Sequence, residues 1–211
     1  IPAGQNPPDG AMIDYWLKSA ASGDVVLEIS DSAGKLVRRF SSADKPDVPE
    51  AKDINVPTYW IRPERKLSPE RGMHRFVWDL HHPPPAALDR DYPISAIFGD
   101  TPLYPLGAAI LPGTYSAKLT VNGQSYTQAL TIKMDPRVKT SAADLKAQFD
   151  LEIEIVEAMQ RDVDALKQVQ KLRKALKEVP SSAAANLQPQ IDDLDKKAAD
   201  VEGSAGGYGA Q

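Results

Sequence analysis

The sequence predicts an α+β fold, in which an Ig-like or fibronectin-like antiparallel β-sandwich precedes a long antiparallel helical hairpin. One observation is the dipeptide Asn122-Gly123, which suits a type I′ hairpin turn because both central residues of that turn need a positive φ. A second is the spacing of apolar residues, which is two before Pro136 and three or four after it. The third is composition, since proline and glycine are concentrated before Pro136.

This change of pattern near Pro136 divides the chain into parts. Sheet-forming patterns end before it and helical patterns begin after it, as expected for a protein with separate β and α layers. The predicted parts are a β-sandwich with long Pro-rich loops at 1–136, a helical hairpin at 137–202 and a Gly-rich tail at 203–211. Because the chain opens at Ile1 and closes on a Gly-rich stretch, we expect it to be a piece of a longer protein.

The first predicted strand is Ala11–Lys18, and another is Met73–Leu80. Both alternate between apolar and other residues, as a strand with one buried face does. The residues predicted to face the core are Ile13, Tyr15 and Leu17 in the first strand and Phe76, Trp78 and Leu80 in the other.

A hairpin is predicted between these two strands, with Val25–Ser30 and Lys35–Phe40 joined by the turn Asp31–Gly34. Its predicted inner face holds Val25, Leu27, Ile29, Leu36 and Phe40. Arg38 interrupts this apolar face. We therefore place the second strand at a sheet edge, where a polar side chain can reach solvent.

The hairpin around Asn122-Gly123 has one predicted register. Folding the chain about the turn sets Leu119 opposite Tyr126, Ala117 opposite Gln128 and Tyr115 opposite Leu130. These residues share one face, so pattern and turn specify the same pairing.

Two segments carry few strand or helix signals. Residues 41–70 form a proline-broken connection, and Pro83–Pro112 is a long Pro-rich excursion. Loops of this length are uncommon and are usually functional or packed on a neighbour.

After Pro136 the spacing predicts one helix of roughly 38 residues, about 57 Å long. Ser141 is a good N-cap, and Asp144 complements the dipole in the first turn. A break is predicted at Pro180-Ser181, followed by a shorter helix. Two helices leave much of such a long apolar seam uncovered, so we expect a third helix, from the same chain or a partner, to complete it. Self-association through a coiled coil is an alternative use of the seam.

Composition excludes several classes of function. Hydrophobic and charged fractions of 42% and 26% are those of an ordinary globular protein. The net charge is −4 and basic residues form no patch, which argues against nucleic-acid binding. No apolar run approaches the roughly 20 residues of a membrane span. There are no cysteines, which removes disulfides, thiolate nucleophiles and Cys-based zinc sites.

Two clusters contain residue types that could carry chemistry, but the pattern of each favours a structural role. The first, His74, Asp79, His81 and His82, resembles a set of metal ligands, but strand parity separates its members and the spacing is not that of a zinc motif. The second, Asp89, Asp91 and Asp100, could supply paired carboxylates, but loop aspartates are more often turn formers. The sequence therefore predicts no catalytic residue, no metal site and no cofactor in this chain.

Five aromatic residues outside the predicted core are the candidate binding residues: Trp16, Tyr59, Trp60, Tyr92 and Tyr104. Trp16 lies on the opposite face of its strand from the inward set. Exposed aromatics either pack against another domain, which is the commoner cause, or stack on sugar rings. The sequence is compatible with both interpretations.

Four segments, taken in order, carry a resemblance to a known family. They are Asn6–Tyr15 (NPPDGAMIDY), Gly72–Leu80 (GMHRFVWDL), Pro112–Tyr115 (PGTY) and Asp135–Arg137 (DPR). The set resembles the C-terminal region of large secreted bacterial proteins built around sortilin-like β-propellers with bacterial-neuraminidase (BNR) repeats. Those proteins are often labelled glycosyl hydrolases.

The resemblance implies a propeller N-terminal to Ile1, further helix beyond Gln211, and a secreted, periplasmic or cell-envelope location. Any catalytic carboxylates would then lie in the propeller, so whether the parent protein is an enzyme is left open. The function expected here is that of a non-catalytic accessory module that contacts its own propeller or another protein. The alternative is a carbohydrate-binding module that presents substrate to a hydrolase.

Overall fold

The computed structural model describes residues 8–45, 50–52, 54, 56–87, 91–92, 96–179 and 186–203. Within these residues the protein is α+β and sandwich-like, with two antiparallel sheets and two α-helices. The elements are β1 (Ala11–Leu17), β2 (Val26–Ser30), β3 (Leu36–Ser41), β4 (Gly72–Trp78), β5 (Gly113–Val121), β6 (Gln124–Ile132), α1 (Ala142–Lys177) and α2 (Gln188–Glu202).

The chain divides into two compact units. The first contains Ile1–Pro85 with Asp89–Val156, and the second contains Ala86–Leu88 with Glu157–Gln211. The division falls within α1, so the first half of that helix groups with the β-sheets.

The sheets have two and four strands, in the orders β1-β4 and β3-β2-β5-β6. The predicted β5–β6 register is confirmed, because Leu119 pairs with Tyr126 and Tyr115 with Leu130. Asn122 and Gly123 have φ values of 50° and 78°, as a type I′ turn requires.

The core lies between the inner faces of the two sheets. Trp78 and Phe76 from the small sheet are 0% and 2% exposed, and they belong to one apolar cluster with Leu27, Ile29 and Val25 of the larger sheet or its approach. The predicted inward faces of β1, β2 and β4 are therefore confirmed. A two-stranded sheet is marginal by itself, so this packing is what stabilises β1 and β4.

The β3 strand is at a sheet edge, as predicted, but one inward residue was assigned wrongly. The β2–β3 register shifts between Ile29 and Ser30, so that Leu36 lies beyond the shift and is 50% exposed. Val37 is buried instead, at 6% exposure. Before the shift, Arg38 still pairs with Ile29 on the inner face.

Among the described residues of the proline-rich segments, the backbone is paired through isolated bridges and not through strands. Ile61 bridges to Thr101, and His81 bridges to Ala109 at the end of β4. Gly107 approaches the backbone of His82 and Pro83 so closely that a Cβ there would overlap their carbonyl oxygens.

The long helix begins where the sequence predicted. The Ser141 hydroxyl accepts a hydrogen bond from the Asp144 amide at 3.1 Å, so Ser141 is the N-cap. In the second unit, Arg173 of α1 pairs with Asp195 and Glu202 of α2. The predicted break at Pro180-Ser181 lies outside the described residues. Neither described helix carries an apolar stretch that would suffice to cross a membrane.

Candidate functional site

The outer face of the two-stranded sheet carries an apolar surface that we call the outer patch, formed by Met12, Trp16 and Met73. Trp16 on β1 pairs directly with Met73 on β4. Their exposed fractions are 64% and 68%, and that of Met12 is 50%. Side chains alternate across a strand, so burying Tyr15 and Leu17 turns Trp16 outward. Three large exposed apolar side chains therefore share this outer face, and Trp16 and Met73 are direct cross-strand neighbours on it.

An ion pair lies between the members of the outer patch. Asp14 pairs with Arg75 across the two strands, and the guanidinium donates two hydrogen bonds to the carboxylate, at 2.7 and 2.8 Å. These hydrogen bonds lower the pKa of the Asp14 carboxyl and raise the pKa of Arg75. This bidentate contact fixes the orientation of both side chains, although an exposed ion pair contributes little to the free energy of unfolding.

Tyr59 and Trp60 lie in a second surface, the loop aromatic cluster, together with Phe98. The Phe98 ring centroid is 5.9 Å from that of Tyr59 and 6.0 Å from that of Trp60, with interplanar angles of 63° and 77°. These edge-to-face contacts are a favourable aromatic geometry. Tyr59 and Phe98 are 64% and 70% exposed, whereas Trp60 is half-buried.

Backbone hydrogen bonds hold this cluster in place. The amide of Thr101 donates to Trp60 O at 3.1 Å, and the amide of Arg62 donates to Thr101 O at 2.8 Å. The Thr101 side chain is fully buried, and its hydroxyl donates to Ile97 O while accepting from the Ile97 amide. A buried and fully bonded threonine therefore ties the two halves of the cluster together.

The remaining candidates, Tyr92 and Tyr104, lie in one backbone bridge. Asp91 and Tyr104 exchange amide-to-carbonyl hydrogen bonds of 3.2 and 2.6 Å. Tyr92 is half-buried, and Tyr104 is 41% exposed. The structure thus places Tyr59 and Trp60 in contact with Phe98, sets Tyr92 beside the bridge that Tyr104 makes with Asp91, and leaves Trp16 on the outer patch.

Sequence reasoning did not assign Met73 or Phe98 to a surface. Met73 could have been found from strand parity, because it has the opposite parity to Phe76 and Trp78 and so must face outward with Trp16. Phe98 lies in an irregular loop, where no periodicity indicates direction.

Part of the inner face of the larger sheet is not covered by the smaller one. Tyr126 on β6 is 59% exposed although it has the inward parity. A groove of about 500 Å³ runs along this face, and its lining includes Tyr15, Leu119 and Gln128. The small sheet is too narrow to bury all four strands beneath it.

The histidine and aspartate clusters do not assemble a reactive centre among the described residues. His74 Nε2 forms a hydrogen bond with the carbonyl oxygen of Glu70 at 2.7 Å. His81 Nδ1 forms one with the carbonyl oxygen of Asp79 at 2.6 Å. No group of three or more potential metal-ligating residues is found in the part of the chain that the structure describes.

The loop aspartates are likewise dispersed. Asp91 is exposed and accepts from the Tyr92 amide, and Asp100 pairs with Arg62 at 2.7 Å. Asp89 lies outside the described residues.

Comparison with protein-family profiles, with curated proteins and with solved structures found no match to this chain.

Proposed function

We propose that this chain is a non-catalytic accessory module that docks a neighbouring protein domain through the outer patch. The observation that carries the proposal is the pairing of Trp16 with Met73, both mostly exposed, on the outer face of the two-stranded sheet. Trp, Met and Arg are enriched at protein interfaces, and Trp and Arg dominate their binding energy. The outer patch combines these residue types around one ion pair.

The expected partner is the β-propeller that the sequence resemblance implies on the N-terminal side of Ile1. The resemblance in four ordered segments supports this identity, and it also supports an exported protein of the secreted or cell-envelope class. We also propose that the chain has an Ig-like sandwich topology followed by an antiparallel helical hairpin. The first test is to sequence the reading frame upstream of the Ile1 codon, where propeller repeats are expected.

The docking test uses the full-length protein with Trp16→Ala and Met73→Ser combined. Removing a central interface tryptophan typically costs about 2 kcal/mol or more, which is roughly thirtyfold in affinity. We therefore expect the double variant to lower the melting temperature of the preceding domain, measured by calorimetry. Supplied separately, the two parts should bind about thirtyfold more weakly.

The matched control is Leu36→Ala, which removes an exposed apolar side chain from the edge strand β3 of the other sheet. It should leave both measurements unchanged. Unfolding of the isolated module should shift by less than about 0.5 kcal/mol in the double variant, because its residues are exposed. Docking through the outer patch is refuted if the preceding domain melts identically with and without the two substitutions.

The second candidate function, carbohydrate binding, is favoured by the exposure of Tyr59 and Phe98 in the loop aromatic cluster. Sugar rings stack on an open aromatic face, and both rings are accessible to solvent. The test is affinity electrophoresis in gels that contain a neutral polysaccharide. Retardation that disappears in Tyr59→Ala and persists in Trp16→Ala would favour this candidate, whereas equal mobility with and without polysaccharide would exclude it for that polymer.

A further inference from the structure

A cavity of about 200 Å³ lies at the edge of the sandwich where β3 and β4 meet the Pro-rich segments. Its walls include Phe40 and Phe76 from the sheets and Pro63, Pro102 and Gly107 from the segments around them. At about 30 Å³ per water molecule this space corresponds to roughly seven waters. It is smaller than the roughly 300 Å³ at which sites for drug-sized ligands begin, so it suits a small ligand.

Three arginines line this cavity: Arg38, Arg62 and Arg65. Arg62 is paired with Asp100. Arg38 donates to His82 O at 2.7 Å, and Arg65 donates to the carbonyl oxygens of Asp9 and Val77 at 3.0 and 3.3 Å. Among the ion pairs of the described residues, none includes Arg38 or Arg65, so carbonyl oxygens rather than carboxylates hold these two guanidinium groups.

Arg38 is the most unusual of the three. It interrupts the inner face of β3, is half-buried, and has its guanidinium carbon 5.1 Å from the Phe40 ring centroid. Burial lowers the pKa of Arg38, and more distant carboxylates, Asp79 first, offset this only in part. A guanidinium has five N–H donors, and the described residues give Arg38 one hydrogen-bond acceptor. No side-chain nitrogen of the described residues is both buried and without a partner, so the remaining N–H donors of Arg38 reach solvent and are available to a bound acceptor.

The wall of the cavity also carries acidic side chains. Glu64 and Asp79 also line the cavity, so its described lining residues include three arginines and two carboxylates. Asp79 Oδ1 accepts a hydrogen bond from the His81 amide at 3.3 Å. His82 adds no charge near neutral pH, because burial, Lys35 and Arg38 lower the pKa of its imidazole. The wall therefore offers cationic donors for an acid group and, on Asp79, an acceptor for hydroxyl groups.

We propose that this cavity binds a small hydroxylated carboxylate, no larger than a single sugar acid, with its carboxylate on Arg38. Planar guanidinium groups bind carboxylates through paired, charge-assisted hydrogen bonds. Arg65 adds a second guanidinium to the same wall, and the apolar rings and prolines contact the carbon skeleton. This site is separate from the outer patch and does not depend on docking there.

The test is titration of the 211-residue chain with glucuronate, lactate and glucose, followed by NMR or calorimetry. Glucuronate is expected to bind, and glucose is expected to bind at least about tenfold more weakly because it lacks the charged acceptor. Lactate binding alongside glucuronate would indicate that the carboxylate suffices. Glucuronate binding without lactate would indicate that the sugar hydroxyls also contribute.

Arg38→Gln should weaken glucuronate binding about tenfold. The matched control is Arg39→Gln, which removes the same charge from the adjacent, exposed position on β3 and should change affinity less than twofold. Arg65→Gln serves as a second variant if Arg38→Gln does not fold. Equal affinity for glucose and glucuronate, no binding of either acid at 20 mM ligand, or equal effects of the Arg38 and Arg39 substitutions would each overturn the proposal.

Discussion

Gly107 offers the sharpest test of how the Pro-rich excursion is attached to the sandwich. The three atoms nearest to a Cβ built there all belong to the backbone, and they include Pro83 O at 2.5 Å and the His82 carbonyl carbon at 2.6 Å. Because its φ is not positive, alanine would suffer a steric clash at this position rather than conformational strain. The perturbation is therefore Gly107→Ala.

The magnitude follows from the contacts that must change. Non-bonded carbon atoms prefer separations of about 3.5–4.0 Å, so the irregular segment at Gly107 or the one at His82 must move by about 1 Å. Overpacking of this kind costs about 1–3 kcal/mol. The adjacent hydrogen bond from the His82 amide to Ala108 O, 2.8 Å long, would be disturbed as well, at about 1 kcal/mol. We expect Gly107→Ala to lower the free energy of unfolding by about 3 kcal/mol.

The assay is urea unfolding followed by tryptophan fluorescence, because the buried Trp78 donates from Nε1 to His81 O and lies beside the affected segment. The control is Gly23→Ala, where nothing lies within 4 Å of a Cβ and φ is not positive. Its effect should stay within about 0.5 kcal/mol. If the two substitutions have equal effects, the close backbone approach at Gly107 is not a feature of the folded protein.

Two further predictions concern polar contacts. Tyr15→Phe removes a hydroxyl that donates to Ser68 O at 2.9 Å and accepts from the Ser68 amide at 2.6 Å, so we expect a loss of about 1–3 kcal/mol in urea unfolding. Tyr126→Phe, on an exposed ring, should be neutral. The second prediction is pH dependence. Hydrogen bonds from Arg173 lower the pKa of Asp195 and Glu202, so their stabilising effect is complete above the ordinary carboxyl pKa of about 4 and is lost as pH falls below it. The difference in urea midpoint between the wild type and Arg173→Gln should therefore be constant from pH 7 to pH 6 and should shrink toward pH 3. A difference in midpoint that grows on acidification would contradict this reasoning.

The strand registers were predictable wherever a turn and an alternating pattern agreed. Asn122-Gly123 allows one turn type, and that turn fixed every β5–β6 pair that the sequence predicted. Ser141 was predictable as an N-cap for a similar reason, since a hydroxyl before a helical pattern satisfies an otherwise unpaired amide.

The sequence could not predict where a register shifts. Alternation alone assigns Leu36 to the same face as Phe40, but the irregularity between Ile29 and Ser30 exposes Leu36 and buries Val37. A β-bulge reverses parity beyond it and leaves no apolar periodicity of its own. The same limit applied to Arg38: its position on the inner face was predictable, but the cavity beside it forms from segments distant in sequence.

The directions of Trp16 and Met73 bear on function more than the core does. Local rules assign polar residues to the solvent face of an antiparallel strand, and Asp14 and Arg75 obey them on this face. Trp16 and Met73, which pair beside them, depart from this rule. Neither residue belongs to the core cluster, which contains Tyr15, Phe76 and Trp78. An exposed apolar pair on a narrow sheet favours association, which a freely soluble module would avoid. Residues that depart from these local rules without stabilising the core are expected at functional sites. The outer patch is such a departure, and this is why covering it by a neighbouring domain is the better hypothesis than leaving it in solvent.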